Sequence, residues 1–343
     1  MVNKKRGWGR TQSRLLLWRN CWMHFSIIIN EIAGGGNAKD AWQKVKARLD
    51  QLEIDYTFQT TKAADHAIYL GRKLAERLAG SSDEIVLVIG GDGTLHQVLN
   101  GMMKSEANRR HPLPIAYIAC GTGNDFARGY GIDLDPLVAL DQILAAKQAT
   151  LISIGHYFEA IKNEEGFFLN NVGIGFDASI VSRTNNSKQK KKLNHFHLGH
   201  LSYLSNALGA LYDQEPFELM VENQRHREFY RKSYIVIVSN HPFIGGGFKI
   251  APDTSLYDPN LELVVAERKN WVLTLIQLWR FARGKLAYSR FAHRYHTQQL
   301  RYSTTSLEFG QMDGEEMGNR FVDLTLDTIA YPIWEVPSSK KEN

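Results

Sequence analysis

The sequence predicts two architectures in succession: an α/β part built on a parallel sheet, then a mostly β part. Three observations carry this. Apolar runs alternate with helix-period stretches up to about residue 150. Glycine clusters stand directly after several of the apolar runs. Beyond residue 150, short strand-like runs follow one another through turns. With 343 residues the chain exceeds what one hydrophobic core usually serves, so two domains are expected.

The elements follow in order. "FSIII" (25–29) reads as a strand and "NEIAGGGNA" (30–38) as a glycine-rich turn. Ala41, Trp42, Val45 and Leu49 then recur at helical spacing. "YTFQT" (56–60) is a second strand, and Ala67, Ile68, Leu74, Ala75 and Leu78 mark a second helix. "IVLVI" (85–89) is continuously apolar, as a parallel strand covered on both faces must be. Leu95, Val98, Leu99 and Met102 form one face of a third helix. "IAYIA" (115–119) is a fourth strand, closed by Gly121-Thr122-Gly123-Asn124-Asp125.

From about 150 the runs "FFLNNVGIGF", "YIVIVSN", "LELVVAE", "SLEFG" and "FVDLTLD" predict strands of a mainly antiparallel unit. Residues 187–212, a basic stretch followed by a helix, and 271–293, an amphipathic helix, interrupt it. The expected division is 1–22, a basic leader or extension; 23–150, the α/β unit; and 151–343, the β unit. Residues 1–22 carry Lys4, Lys5, Arg6, Arg10, Arg14 and Arg19 and no acid. An upstream extension is favoured over a membrane-touching leader, because the first strand begins at "MHFSIIIN".

Bulk composition bounds the function. Hydrophobic content of 43% with 22% charged residues describes a globular chain, and the formal charge of +5 suits an anionic partner without selecting one. Two cysteines, Cys21 and Cys120, make no disulfide framework or metal spacing, which fits a reducing cytoplasm. No apolar run reaches the roughly 18–20 residues needed to cross a bilayer.

"LVIGGDGTLHQVLNG" (87–101) ends an apolar run at Gly90-Gly91-Asp92-Gly93-Thr94. In an open α/β sheet, ligands sit at the carboxyl ends of the strands. Glycines there let backbone N–H groups approach a phosphate, and the following helix N-terminus adds positive potential. Asp92 would repel phosphate unless a cation stood between them, which points to Mg²⁺. The plain alternative is a tight turn with a capping Asp or Thr. "CGTGNDFAR" (120–128) repeats the logic on the next strand: Thr122 and Asn124 offer hydrogen bonds, and Asp125 can cap a helix or hold a metal-bound water. No G-x-x-x-x-G-K-[ST] occurs. Gly173-x-Gly175-x-x-Ala178 formally matches the dinucleotide pattern but lacks the ribose-binding acid about 20 residues on, so it is a decoy.

"GGDGTLHQVLNG", "GTGNDFAR", "SNHPFIGGGFKIAPD" and "MDGE" (312–315), in this order, resemble the diacylglycerol kinase catalytic family, and more closely the bacterial soluble lipid kinases related to sphingosine and ceramide kinases. The resemblance spans roughly 23–335. It implies a Rossmann-like nucleotide domain, a C-terminal β-sandwich, a cleft between them, and the use of ATP and Mg²⁺. Matched by position, Gly90, Gly91, Asp92, Gly93, Thr94, Leu95 and His96 resemble the phosphate loop. Thr122, with Gly123 and Asn124, resembles its partner loop, Thr61 the threonine at the nucleotide edge and Asn30 the first-strand asparagine. Asp313 resembles the catalytic base, with Glu315 beside it; on its own, "MDGE" is an ordinary hairpin turn. Asp92 and Asp125 stand where Mg²⁺ is expected.

"DTSLYDPNLEL" (253–263) resembles a structural Mg²⁺ loop using Ser255, Asp258 and Asn260. The chain departs from the family at Pro259, where Asp-Gly is usual, and at Glu31, where a proline is usual. "KQKKK" (188–192) is matched to anionic headgroups or to a solvated loop. His195, His197 and His200 have no nearby carboxylate and carry no metal expectation.

The expected activity is phosphoryl transfer from ATP to a membrane lipid alcohol, diacylglycerol to phosphatidate first, in phospholipid biosynthesis. The enzyme would sit in the cytoplasm in transient peripheral contact with the inner face of the membrane. An NAD kinase and a non-catalytic lipid-binding regulator are the alternatives. No nucleic-acid recognition module is present, and a homodimer is an open assembly state.

Overall fold

The computed structural model describes residues 23–175, 215–223 and 226–337. Strands β1 (His24–Ile29), β2 (Tyr56–Thr60), β3 (Glu84–Gly90) and β4 (Ile115–Ala119) form a parallel sheet in the order β2-β1-β3-β4. β3 and β4 are buried along nearly their whole length, so their side chains are apolar on both faces. Helix α1 (Asn37–Gln51) joins β1 to β2, α2 (His66–Leu78) joins β2 to β3, and α3 (Asp92–Met103) joins β3 to β4. The first crossover and the next two run in opposite directions along the sheet. Right-handed connections therefore place α1 on one face and α2 and α3 on the other. Gly71 and Gly101 allow α2 and α3 to meet closely: a Cβ on Gly71 would fall 2.5 Å from the Val98 carbonyl oxygen, and one on Gly101 would overlap Ile68. The short α4 (Glu106–Arg110) stands between α3 and β4, and α5 (Asp125–Tyr130) and α6 (Pro136–Ala145) follow β4. Asp135 caps α6 by accepting from the Leu137 and Val138 N–H groups, with Pro136 at the first helical position.

The β part opens with β5 (Thr150–Glu159) and closes with β17 (Asp323–Ile333), which pair antiparallel from Glu159↔Leu324 to Thr150↔Ile333. Ile333 also pairs in parallel with Ile115 of β4, so β17 joins the two parts into one continuous sheet. The chain end returns into the first part: Glu335 accepts the Tyr117 N–H and is buried, which pushes its carboxyl well above the usual range. β9 (His226–Ser239) pairs with β7 (Asn171–Gly175), β8 (Phe217–Asn223) and β12 (Leu261–Glu267). Alternation at period two divides their side chains between two cores. Val236, Val238, Leu263 and Val265 face the sandwich interior, while Ile235, Ile237, Val264 and Ala266 face the core under helix α7 (Trp271–Ala282). This is the α/β plus sandwich-like β architecture expected.

Three details differ from expectation. The helix predicted over 271–293 stops at Ala282; Gly284 follows at φ +66, and β13 (Ala292–Thr297) begins ten residues after the helix ends. "FFLNNVGIGF" is two strands, β6 (Glu164–Phe168) and β7, broken at Leu169-Asn170. β13, β14 (Leu300–Thr304) and β16 (Glu315–Arg320) carry too many polar side chains to read as strands, and β5 lacks a strict alternation. The expectations for residues 1–22, 187–212, "KQKKK" and the three histidines at 195, 197 and 200 lie outside the described residues, as do Cys21 and the end of the Gly173–Ala178 match.

Candidate active site

Four glycine loops converge at the carboxyl ends of the parallel strands. Gly34, after β1, sits at φ +60 where a Cβ would overlap the Cys120 carbonyl oxygen. Gly91, after β3, meets Gly121, after β4, so closely that a Cβ on Gly121 would lie 2.7 Å from the Gly91 Cα. Gly123 faces Asp92, Asp125 and the Gly246 Cα of the β part. A Cβ at Gly90 would fall 2.8 Å from Thr94, so glycine there lets the α3 N-terminus press against the strand end. The result is a cradle of bare backbone at a helix N-terminus, the arrangement that binds phosphate. Thr94 and Leu95 both give their N–H groups to the Gly91 carbonyl, so Asp92 and Gly93 supply the donors of α3 with no partner in the helix.

The side chains tie these loops together. Asn30 donates through Nδ2 to Thr94 Oγ1 at 3.0 Å, and its Oδ1 is buried with no partner. Thr61 sits beside it, its N–H on the Ile29 carbonyl. Asn124, at φ +55, accepts the Gly121 N–H and closes its own loop, leaving Thr122 exposed between them. Asp92 caps α5 from the neighbouring loop: Oδ2 accepts the Asp125 N–H at 3.0 Å and Oδ1 the Phe126 N–H at 3.3 Å. Asp125 in turn accepts the N–H groups of Gly246 and Gly247. One carboxylate thus joins two loops of the α/β part, and the other pins the "FIGGG" loop of the β part onto them.

Burial, then the charges of Asp125 and Asp313, push the Asp92 carboxyl up to about 7. Burial also raises Asp125, against the pull of its two glycine N–H groups. This crowding of carboxylates is what a divalent cation relieves. Each Asp92 oxygen has one backbone partner and one lone pair over. Among the described residues no group of three His, Cys, Asp or Glu side chains encloses a cation. The donor set therefore fits Mg²⁺ carried mainly by phosphates and water, with Asp92 as its protein contact, and does not fit a closed protein cage.

Asp313 occupies the first position of the β15 (Glu308–Met312)–β16 turn at φ +51, followed by Gly314 at φ +84. Its side chain has no exposed surface. Oδ1 accepts the Asn170 and Asn171 N–H groups at 2.7 and 3.1 Å. Oδ2 accepts the Leu169 N–H at 2.8 Å and meets His96 Nδ1 at 2.8 Å. The break between β6 and β7 exists to aim these three N–H groups at one carboxylate. With four partners, Asp313 presents no spare lone pair; His96 is the only one of the four that is a side chain. Asn100, one turn along α3, clasps β6 by donating to the Phe167 carbonyl and accepting its N–H. Glu315 is exposed, and its Oε1 would lie 2.5 Å from a Cβ on Gly93. Asp313 and Glu315 thus reach α3 from the β part.

Two expectations are corrected. Leu95 buries its side chain in the core and gives its N–H to Gly91, so neither faces the loops. The Ser255–Asn260 loop closes on itself. Asp258 Oδ1 takes the Asn260 N–H and side-chain amide, Oδ2 meets His296 Nε2 at 3.3 Å, and the Ser255 carbonyl accepts the Asp258 N–H. Asp258 Oδ1 is thereby taken up inside the loop instead of being offered to a cation. Pro259 also removes the permissive glycine that would turn the loop differently.

Sequence reasoning missed Asn170, Asn171, Gln311 and His241. Gln311 joins the Asn171 side chain to the Gly314 N–H. His241 Nε2 meets Asn170 Oδ1 at 2.6 Å while Nδ1 accepts the Phe243 N–H, and burial holds its imidazole down at about 4. The signal was Asn170-Asn171, two amides inside an otherwise apolar run. Burial pushes the Cys120 thiol up to about 12, as for a structural cysteine packed in a core.

A diacylglycerol kinase catalytic domain model matches residues 24–157, and a YegS C-terminal NAD kinase beta sandwich-like domain model matches 170–328. The chain is 26% identical over 301 residues to a Bacillus subtilis protein named "Putative lipid kinase YtlR", covering 86% of this chain and 94% of that one. It is 22% identical over 303 residues to a Staphylococcus carnosus "Putative lipid kinase", covering 88% and 92%. A solved Bacillus anthracis chain described as "A putative diacylglycerol kinase" shares the fold with a TM-score of 0.70 at 21% identity, covering 92% of this chain and 98% of that one.

Proposed function

Because the chain carries both domains and belongs to the diacylglycerol/lipid kinase family, a kinase by its fold and its relatives, we propose that it moves the γ-phosphoryl group of ATP to the hydroxyl of a lipid alcohol, diacylglycerol first, yielding phosphatidate for phospholipid synthesis. The observation that carries this is the meeting of the glycine cradle with the Asp313–His96 pair at the N-terminus of α3. The cradle holds the phosphates: Gly91, Gly121 and Gly123 present backbone, and α3 adds its dipole. Asn30, with its unpartnered Oδ1, and Thr61 border the nucleotide side. The acceptor oxygen attacks the γ-phosphorus, the bond to the β–γ bridging oxygen breaks, and ADP leaves. The hydroxyl proton passes to the Asp313–His96 pair, Asp313 holding the imidazole or yielding its fourth lone pair as His96 swings away. Mg²⁺, when bound through Asp92, offsets the charge of the β- and γ-phosphates.

The test is transfer of labelled γ-phosphate to a panel of diacylglycerol, ceramide, sphingosine and NAD. Labelled phosphatidate supports the proposal. Label on another lipid changes the acceptor alone. Label on NAD makes this an NAD kinase, and no transfer to any acceptor makes it a non-catalytic regulator; either overturns the proposal.

A further inference from the structure

Helix α7 is built inside out. The side chains it buries against the protein are Thr274, Gln277 and Phe281, with Leu278 packed partly buried beside them. Gln277 is fully engaged: it donates to the Glu267 and Phe291 carbonyls and accepts from the Tyr234 hydroxyl. The face it turns outward is apolar: Trp271, Val272, Leu275, Ile276 and Trp279, from 37% exposed at Ile276 to 69% at Val272. These positions, i, i+1, i+4, i+5 and i+8, form one stripe along the helix. Burial against this protein does not explain the stripe: Phe281 and Leu278, with Thr274 and Gln277, supply the face that meets the core, and the five stripe residues lie outside it.

The rim decides what covers it. Between residues 268 and 290 stand Arg268, Lys269, Arg280, Arg283, Lys285 and Arg290, with no Asp or Glu. The Arg268 guanidinium lies 3.9 Å from the Trp271 ring centre and that of Arg283 4.3 Å from the Trp279 ring centre. Trp rings bracketed by cations, at both ends of an apolar stripe, match the boundary between headgroups and acyl chains. At 12 residues the helix spans about 18 Å, too short to cross a bilayer, and no helix among the described residues is long and apolar enough to do so. The helix is also coupled to the site. Phe281 stacks on Phe248, the residue directly after Gly247, whose N–H is held by Asp125.

We propose that the outer face of α7 docks on an anionic lipid bilayer, the helix lying flat with Trp271 and Trp279 at headgroup level and the arginines on the phosphates. This rests on the lipid-alcohol reading only for its purpose: the acceptor would be met where it resides. The test is co-sedimentation of the full chain with phosphatidylcholine vesicles, with and without phosphatidylglycerol, in the absence of nucleotide and acceptor. The expected result is binding that requires phosphatidylglycerol and weakens with salt. Leu275→Glu and the pair Trp271→Ala with Trp279→Ala should each lower partitioning at least about tenfold. Their melting temperatures should stay unchanged, because the replaced side chains are exposed. Equal partitioning of wild type and Leu275→Glu overturns the proposal. So does a change from dimer to monomer in Leu275→Glu with vesicle binding intact, which would make the face a self-association surface. Because no phosphoryl transfer is measured, failure here leaves the kinase reading standing, and failure of that reading leaves this one standing.

Discussion

Asp313→Asn tests the centre of the site. The carboxylate accepts on both oxygens, from three backbone N–H groups and His96. An amide offers one oxygen and one NH₂. Turned one way, the NH₂ faces Asn170 and Asn171; turned the other, it faces Leu169 and His96. The second is the milder, because His96 can change tautomer to accept, yet the buried Leu169 N–H still loses its acceptor and meets a donor. One orphaned buried donor costs about 1–3 kcal/mol, and two charge-assisted bonds reduced to neutral ones add about 1–2 kcal/mol more. The expected loss is therefore about 2–5 kcal/mol. At roughly 2 °C per kcal/mol for a chain of this size, the melting temperature should fall by about 4–10 °C without nucleotide. Glu315→Gln, two residues away but exposed, is the control and should melt within about 1 °C of wild type. A melting temperature for Asp313→Asn equal to that control would refute the reasoning. Loss of activity in this variant has two sources, so only a folded sample retaining ATP affinity assigns Asp313 a part in proton transfer.

Other outcomes follow from the same geometry. His96→Ala should lower kcat by about 10²-fold or more with the KM for ATP little changed, since the ring meets Asp313 and not the glycine cradle; an unchanged kcat removes His96 from the proton path. Gly34→Ala combines a positive φ with overlap on the Cys120 carbonyl. It should cost more than about 1 kcal/mol and weaken ATP binding, and a wild-type urea midpoint would contradict the loop packing. His241 is held down at about 4 in the folded protein against about 6.5 unfolded. The unfolded state therefore binds the extra proton, and this contribution is whole above pH 6.5 and lost as the pH falls to 4. Unfolding free energy should drop by about 3 kcal/mol more across that window in wild type than in His241→Gln; parallel pH curves would show that the imidazole is not buried neutral.

How much was legible depended on the range of the interaction. Strands β1, β3 and β4 were readable because burial on both faces demands continuous apolar runs, and the helices because one-face burial demands a helical period; β2 lies at the sheet edge, largely exposed, and shows no such run. Asp92 stood out because a carboxylate in a glycine loop is chemically odd. Its role as a cap on α5 was not readable, since the Asp125 and Phe126 N–H groups lie 33 and 34 residues away. The polar strands β13, β14 and β16 form because neighbouring strands accept their backbone bonds, and composition alone hides that.

The sequence by itself determined the order of elements, the glycine cradle and the candidate acids, for these are properties of short windows: period, permissive φ and charge. Only the tertiary structure decided what the acids touch. It set Asp313 of the β part on His96 of α3, gave Asp125 to Gly246 and Gly247, and turned the apolar face of α7 outward. The reason is geometric: the contacts of Asp313 and Asp125 and the outward face of α7 depend on segments far apart in the chain meeting, or failing to meet, and no local pattern records which partner a side chain will find.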